Sequence, residues 1–165
     1  SFHLGTVFNR QGFALLNAVL VASILNDCKN RRHALALWFT CTFGQNRLCF
    51  TIVAADIDPG VLDIARANAK IAGIKLAFRE QSVLNLQADG ASRTLVTNPP
   101  YGKRLETDSN FPDQLGTVIR RLHGWRVAIL TGIDAYEKAI HLKPKHKIPL
   151  VNGDLDCHLL IYEIE

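Results

Sequence analysis

The sequence predicts an α/β fold in which a doubly wound, mostly parallel sheet ends in an antiparallel hairpin. Three observations carry that expectation. Apolar runs alternate with helix-period segments between residues 48 and 142, the order that builds a parallel sheet with helices on its faces. The first of these runs, Leu48 to Ala55, is almost unbroken in its apolar character, as befits a strand buried on both sides. The closing stretch pairs two strand-like segments across Asn152-Gly153, a dipeptide suited to a tight hairpin turn.

Each element follows from local pattern. The strand Leu48 to Ala55 ends in Asp56-Ile57-Asp58-Pro59-Gly60, and Val61 to Ala72 then reads as a helix. Leu62, Ala65, Ala69 and Ala72 recur at helical spacing, Asp58 suits the N-cap, Pro59 the first helical position and Gly73 the end. Lys75 to Arg79 and Arg93 to Thr97 read as short strands, the second running straight into Asn98-Pro99-Pro100-Tyr101-Gly102. Phe111 to His123 places Leu115, Val118, Ile119 and Leu122 on one face of a helix that Gly124 closes. Trp125 to Thr131 is a buried strand, Ala135 to Leu142 a short helix, and His146 to Val151 with Asp156 to Ile164 form the hairpin. Upstream, Phe2 to Phe8 suits a short strand and Phe13 to Leu25 a buried helix, while His33 to Phe43 is apolar without a decisive period.

Composition bounds the function classes. With 165 residues, 48% hydrophobic and 21% charged, the chain suits one domain over residues 1–165 and is too apolar for a disordered tail. The longest apolar run, Gly12 to Leu25, falls short of the about 18 residues that crossing a bilayer requires. No charged segment with a small-residue cleavage site precedes it, so no secretory signal is expected. Cys28, Cys41, Cys49 and Cys157 form no CxxC pair or zinc spacing, which points to a reducing cytoplasm and no metal. The net charge of +4 lies in the first third, where Arg10, Lys29, Arg31, Arg32 and Arg47 face Asp27 alone. That excess suits a nucleic acid, and equally a solvated loop. There is no methionine, which suggests a processed product or part of a longer polypeptide.

The chemistry is expected at the carboxyl ends of the strands, where open α/β sheets bind ligands. Asp56 is the first polar residue after a buried strand, and its two acceptor oxygens match the two hydroxyls of a ribose. A plain turn and helix cap would also use Asp56 and Asp58. Asn98-Pro99-Pro100-Tyr101 is more specific. Two successive prolines remove two backbone donors and fix φ, so the strand cannot continue and the carbonyls hold their direction. The Asn98 side-chain oxygen and the Pro99 carbonyl could accept both N–H groups of an exocyclic base amine, leaving its lone pair aimed at an electrophile. Tyr101 offers a face for a planar base. Such catalysis works by positioning and needs no strong base.

Three segments carry a family resemblance: residues 54–74 (AADIDPGVLDIARANAKIAGI), 96–105 (VTNPPYGKRL) and 142–164 (LKPKHKIPLVNGDLDCHLLIYEI). They resemble class I S-adenosylmethionine-dependent methyltransferases of Rossmann-like fold, and within them the ribosomal RNA guanine-N2 methyltransferases. The resemblance implies S-adenosylmethionine as cofactor, held by Gly12, Asp56, Ile57, Ser82, Val83 and Asn98. It implies catalysis by Asn98, Pro99, Pro100 and Tyr101 on an RNA substrate that Tyr101, Lys103 and Arg104 contact; Lys103 and Arg104 could equally pair with Glu106. Relatives often recruit RNA through a separate amino-terminal module. Two departures stand out. Ser82 replaces the usual Asp, and the first cofactor motif, laid on residues 6–13, keeps only Gly12, which makes residues 1–47 an atypical cofactor-motif region. The motif also fits adenine-N6 methylation of DNA or RNA, and the departures fit a cofactor-deficient RNA-binding module. A base stacked in a helix would have to be flipped out, which favours single-stranded or looped RNA.

Overall fold

The structure is a computed structural model and describes residues 36–44, 47–71, 73–100, 109–152 and 155–165. Among them the chain forms strands β1 (Ala36–Gly44) and β2 (Arg47–Asp56), helix α1 (Pro59–Ile71), strands β3 (Ala77–Glu80) and β4 (Thr94–Thr97), and helix α2 (Phe111–Arg120). Strand β5 (Arg126–Thr131), helix α3 (Ala135–Ile140) and the hairpin of β6 (His146–Asn152) and β7 (Leu155–Glu163) complete it. The sheet order is β3-β2-β1-β4-β5-β7-β6. From the pairings, β2 to β6 all point one way, and β1 and β7 run against them.

The doubly wound core obeys strand alternation. On β2, β4, β5 and β7 one parity supplies Val53, Ala55, Leu95, Val127, Ile129, Leu160 and Tyr162, packed against Leu115, Ile119, Tyr136 and Ile140 of α2 and α3. The other parity supplies Ala54, Val96, Ala128, Leu159 and Ile161, with Ala65 of α1. Consecutive buried residues on β4 and β5 therefore record cover on both faces, as their sequences predict. Helices α2 and α3 touch at Gly116, where a Cβ would stand 2.4 Å from the Ala139 carbonyl oxygen. Only the absence of a side chain permits that approach.

Boundaries shift where an element meets an edge or a turn. Strand β3 starts at Ala77, two residues later than expected, because its ladder with β2 begins at the Val53–Ala77 pair. Helix α3 stops at Ile140 because His141 turns left-handed at φ 54°. Helix α2 ends at Arg120, three residues early, and Gly124 (φ 78°) makes the turn into β5.

The larger finding is β1. Residues 33–43 left strand and helix open; Ala36–Gly44 is a strand that forms a hairpin with β2 and runs antiparallel to both neighbours. Two apolar runs joined at Gly44 to Arg47 are enough to make that hairpin, whose register pairs Gly44 with Arg47. The strand predicted over residues 2–8 and the helix over 13–25 lie outside the described residues. No helix among the described residues is long and apolar enough to cross a membrane, and none of their His, Cys, Asp and Glu side chains cluster as a metal site.

Candidate active site

The carboxyl edge of the sheet gathers the residues that the sequence singles out. Ala36, the first residue of β1, pairs with Ala55 of β2 on one side and Thr97 of β4 on the other. Asp56 and Asn98 each stand one residue beyond that row. Two inter-strand spacings separate them, about 10 Å. The site is thus a crevice across the end of β1, walled by β2 and β4.

On the β2 wall the two aspartates divide their work. Asp58 is structural: its Oδ1 accepts from the Gly60 amide at 2.7 Å and the Val61 amide at 3.3 Å, opening α1. Asp56 is only 1% exposed. Its Oδ1 accepts from the Asp58 amide at 2.9 Å, which fixes the carboxylate in place. A carboxylate shielded from bulk water makes stronger hydrogen bonds with any hydroxyl that reaches it. Beside it Ile57 is 51% exposed, an apolar surface at the mouth of the crevice.

The next strand over, β3, flanks the β2 wall. Gln81 donates its amide to the Asp56 carbonyl, so the chain leaving β3 stays against β2. Ser82 then caps a 3-10 turn, Val83–Asn85, with its Oγ accepting from the Leu84 amide at 3.2 Å. Val83 is buried. From the end of α2, Arg121 donates Nη2 to the carbonyls of Leu84 (2.8 Å) and Leu86 (3.1 Å) and so pins this turn. Asp56, Ile57, Ser82 and Val83 could hold the adenosine half of a nucleoside cofactor, offering a carboxylate, an apolar flank and a hydroxyl.

On the β4 wall, Asn98 follows the buried Thr97, and its Oδ1 is buried with no hydrogen-bond partner among the described residues. Such an acceptor costs about 1–3 kcal/mol until a donor meets it. Pro99 is buried, and the Pro100 carbonyl accepts a hydrogen bond from the Tyr136 hydroxyl of α3. Tyr136 is wholly buried, and burial pushes its hydroxyl far above the ordinary tyrosine range, so it stays a protonated donor at working pH. Sequence reasoning missed Tyr136. A single aromatic in a short polar helix carries no motif, and its link to Pro100 spans 36 residues. Gly12, Tyr101, Lys103 and Arg104 lie outside the described residues.

Known proteins share this architecture. The sequence matches the family described as RMKL-like, methyltransferase domain, over residues 12–161. It is 39% identical over 139 residues, 78% of this chain, to ribosomal RNA large subunit methyltransferase K/L of Legionella pneumophila (strain Lens), and covers 20% of that protein. The chain spans between about a fifth and a third of the length of the curated relatives it matches. Among solved structures, "a possible methylase from Clostridium difficile 630" superposes with TM-score 0.63 and 32% identity, over 68% of this chain and 31% of that one. The candidate methyltransferase SMU.472, solved in complex with SAH, superposes with TM-score 0.61 and 26% identity, over 68% and 31%. With its mixed sheet, seven-stranded among the described residues, and a match over most of its length, the chain has the class I methyltransferase fold and belongs to the RMKL-like methyltransferase domain family.

Proposed function

We propose that this chain is the methyl-transferring domain of an S-adenosylmethionine-dependent RNA methyltransferase, acting on an exocyclic base amine, guanine N2 of ribosomal RNA. One observation carries the reading: the Asn98 Oδ1 is buried, lacks a partner among the described residues, and sits at the strand end across the crevice from Asp56. The relatives named as ribosomal RNA methyltransferases support RNA as the substrate, and the SAH-bound neighbour supports the cofactor.

When bound, S-adenosylmethionine supplies an electrophilic methyl group. Asp56 accepts from its ribose, Ile57 flanks the adenine, and Ser82 and Val83 line its far side. The protein's own work is at the amine. One N–H donates to Asn98 Oδ1 and the other to the Pro99 carbonyl. With both N–H bonds held, the nitrogen lone pair would be left free to take the methyl group; as the N–C bond formed and the donor's S–C bond broke, the amine would shed one proton to water. Tyr101 stacks the base, and Lys103 and Arg104 meet RNA phosphate. An amine in a base is a weak nucleophile, and fixing its orientation is the contribution that positioning can make without a general base.

Titration calorimetry with S-adenosylmethionine, followed by transfer of labelled methyl to RNA, tests the reading. Binding is expected, and Asn98→Ala should abolish transfer while leaving cofactor affinity within about twofold, if the Asn98 side chain serves the amine; a large loss of affinity would instead assign it to the cofactor, as the family resemblance implies. Absence of binding by the folded protein at millimolar cofactor would refute the enzyme and leave an RNA-binding module. Nucleoside analysis of digested product decides guanine N2 against adenine N6.

A further inference from the structure

The Asn98-Pro99-Pro100 segment has a structural problem that its sequence creates. Two prolines leave it a single backbone N–H, that of Asn98, so its carbonyls must be held from outside. The chain leaves β4 here, and among the described residues no strand pairing continues beyond Thr97, which pairs with Ala36 and Ile129. Yet positioning catalysis requires the Asn98 oxygen and the Pro99 carbonyl to keep one mutual orientation, and a displacement of about 1 Å costs on the order of a hundredfold in rate.

We infer that Tyr136 is the positioning residue for this segment: its hydroxyl, buried in the core, donates to the Pro100 carbonyl and thereby holds the Asn98 and Pro99 acceptors in register. The inference rests on the amine-methylating role proposed above and names a part of it that the motif does not contain. The anchor is stiff for three reasons. The Tyr136 ring is wholly buried and belongs to the larger core cluster, which also holds Leu95, Leu115 and Ile129. Its helix is fixed to α2 by the backbone contact at Gly116, and by Arg120, whose Nη1 donates to the carbonyls of Ala139 (2.7 Å) and Ile140 (3.3 Å). The hydroxyl is also protonated at neutral pH, as any tyrosine is, and burial pushes its pKa higher still.

A second tyrosine supplies a matched control. Tyr162 lies in the same core cluster, 1% exposed, and its hydroxyl is buried without a hydrogen-bond partner among the described residues. Tyr136→Phe and Tyr162→Phe thus delete the same atom from the same core, and only the first removes a bond to the site.

The test uses both variants in the 165-residue chain, read by steady-state methylation of RNA and by the side-chain amide resonance of Asn98. Tyr136→Phe is expected to lower kcat at least tenfold, with cofactor Kd changed less than twofold, and to shift or broaden the Asn98 resonance. Tyr162→Phe should leave all three unchanged. Placing 4-aminophenylalanine at position 136 restores an N–H donor and should recover most of kcat. An Asn98 resonance unmoved in Tyr136→Phe overturns the proposal. So does a variant that fails to fold while Tyr162→Phe folds, since Tyr136 would then serve the core alone. If the wild-type chain transfers no methyl group, the functional reading falls on that result, and the Asn98 resonance still decides whether Tyr136 orders the segment.

Discussion

Replacing Gly116 by alanine tests whether the two helices behind the site are as close as their packing requires. A Cβ on residue 116 would lie 2.4 Å from the Ala139 carbonyl oxygen, 2.7 Å from its carbon and 3.1 Å from the Ile140 nitrogen. These are backbone atoms, so no rotamer change relieves the clash. Helix α3 must retreat by about 0.6 Å merely to restore a 3.0 Å contact, and the Arg120 bonds to Ala139 and Ile140 stretch with it. Overpacking of this kind costs about 1–3 kcal/mol, and rigid backbone on both sides places Gly116→Ala near the upper end. Alanine returns about 1 kcal/mol as the better helix former. The clash wins, by about 2 kcal/mol, which for a domain of this size lowers Tm by about 4–8 °C. Tyr136 stands one turn before Ala139 on the same helix, so kcat should fall as well, while cofactor affinity at Asp56 and Ser82 is kept. Urea denaturation with thermal melts gives the first quantity, and methylation at saturating cofactor the second. Stability equal to or above wild type would mean that helix propensity dominates and that the helices do not cross on Gly116.

Two further outcomes follow from charges. Glu163 receives Lys145 and, at 2.9 Å, Arg126; the Lys145 hydrogen bond and then that of Arg126 hold its carboxyl below its usual value of 4.5. A depressed acid stabilises above its unfolded pKa and loses that contribution as pH falls through the folded one, so Glu163→Gln should cost up to about 1 kcal/mol at neutral pH. In pH-dependent melts the difference from wild type should shrink as pH falls below 4.5 and vanish only once pH has passed below the lowered folded pKa, where carboxyl and amide are both neutral. Asp56→Asn keeps an acceptor for the Asp58 amide but surrenders the charge that a ribose meets. Calorimetry should show cofactor affinity lowered about tenfold or more, the worth of a hydrogen bond to a charged group, and an unchanged affinity would remove Asp56 from the site.

Much of this was legible in the sequence, and the boundary of legibility is physical. Asp58-Pro59-Gly60 and Gly73 announce α1 because capping is a local matter settled within a few residues. The Leu115, Val118, Ile119 and Leu122 stripe announces α2, because one helix face must meet the core. Asp56 and Asn98 stood out since both are polar residues at the ends of buried strands. β1 did not, because an apolar segment with β-branched and aromatic residues is compatible with strand or helix until a partner is known. Its direction is set by hairpin closure with β2, not by its own residues. Tyr136 escaped for the same reason: its meaning lies in a contact with Pro100, and no period or motif encodes a contact that distant.

The antiparallel run of β1 bears on the site more narrowly than on the sheet. An antiparallel ladder satisfies the backbone of β2 and β4 as fully as a parallel one, so the spacing between Asp56 and Asn98 does not depend on the direction of β1. What depends on it is the chain at the crevice floor. At that edge β1 begins, at Ala36, and its other end, Gly44 paired with Arg47, lies at the opposite edge. The chain that leaves β2 and the chain that leaves β3 both stay at the crevice edge, joined by the Gln81 amide on the Asp56 carbonyl. The wall from Asp56 to Val83 and the wall from Asn98 to Tyr136 rest on β2 with β3 and on β4 with β5, two parallel pairs that point the same way. Both halves of the site are consequently independent of β1's direction, and a loss of cofactor binding that spared the fold would point to the floor between them.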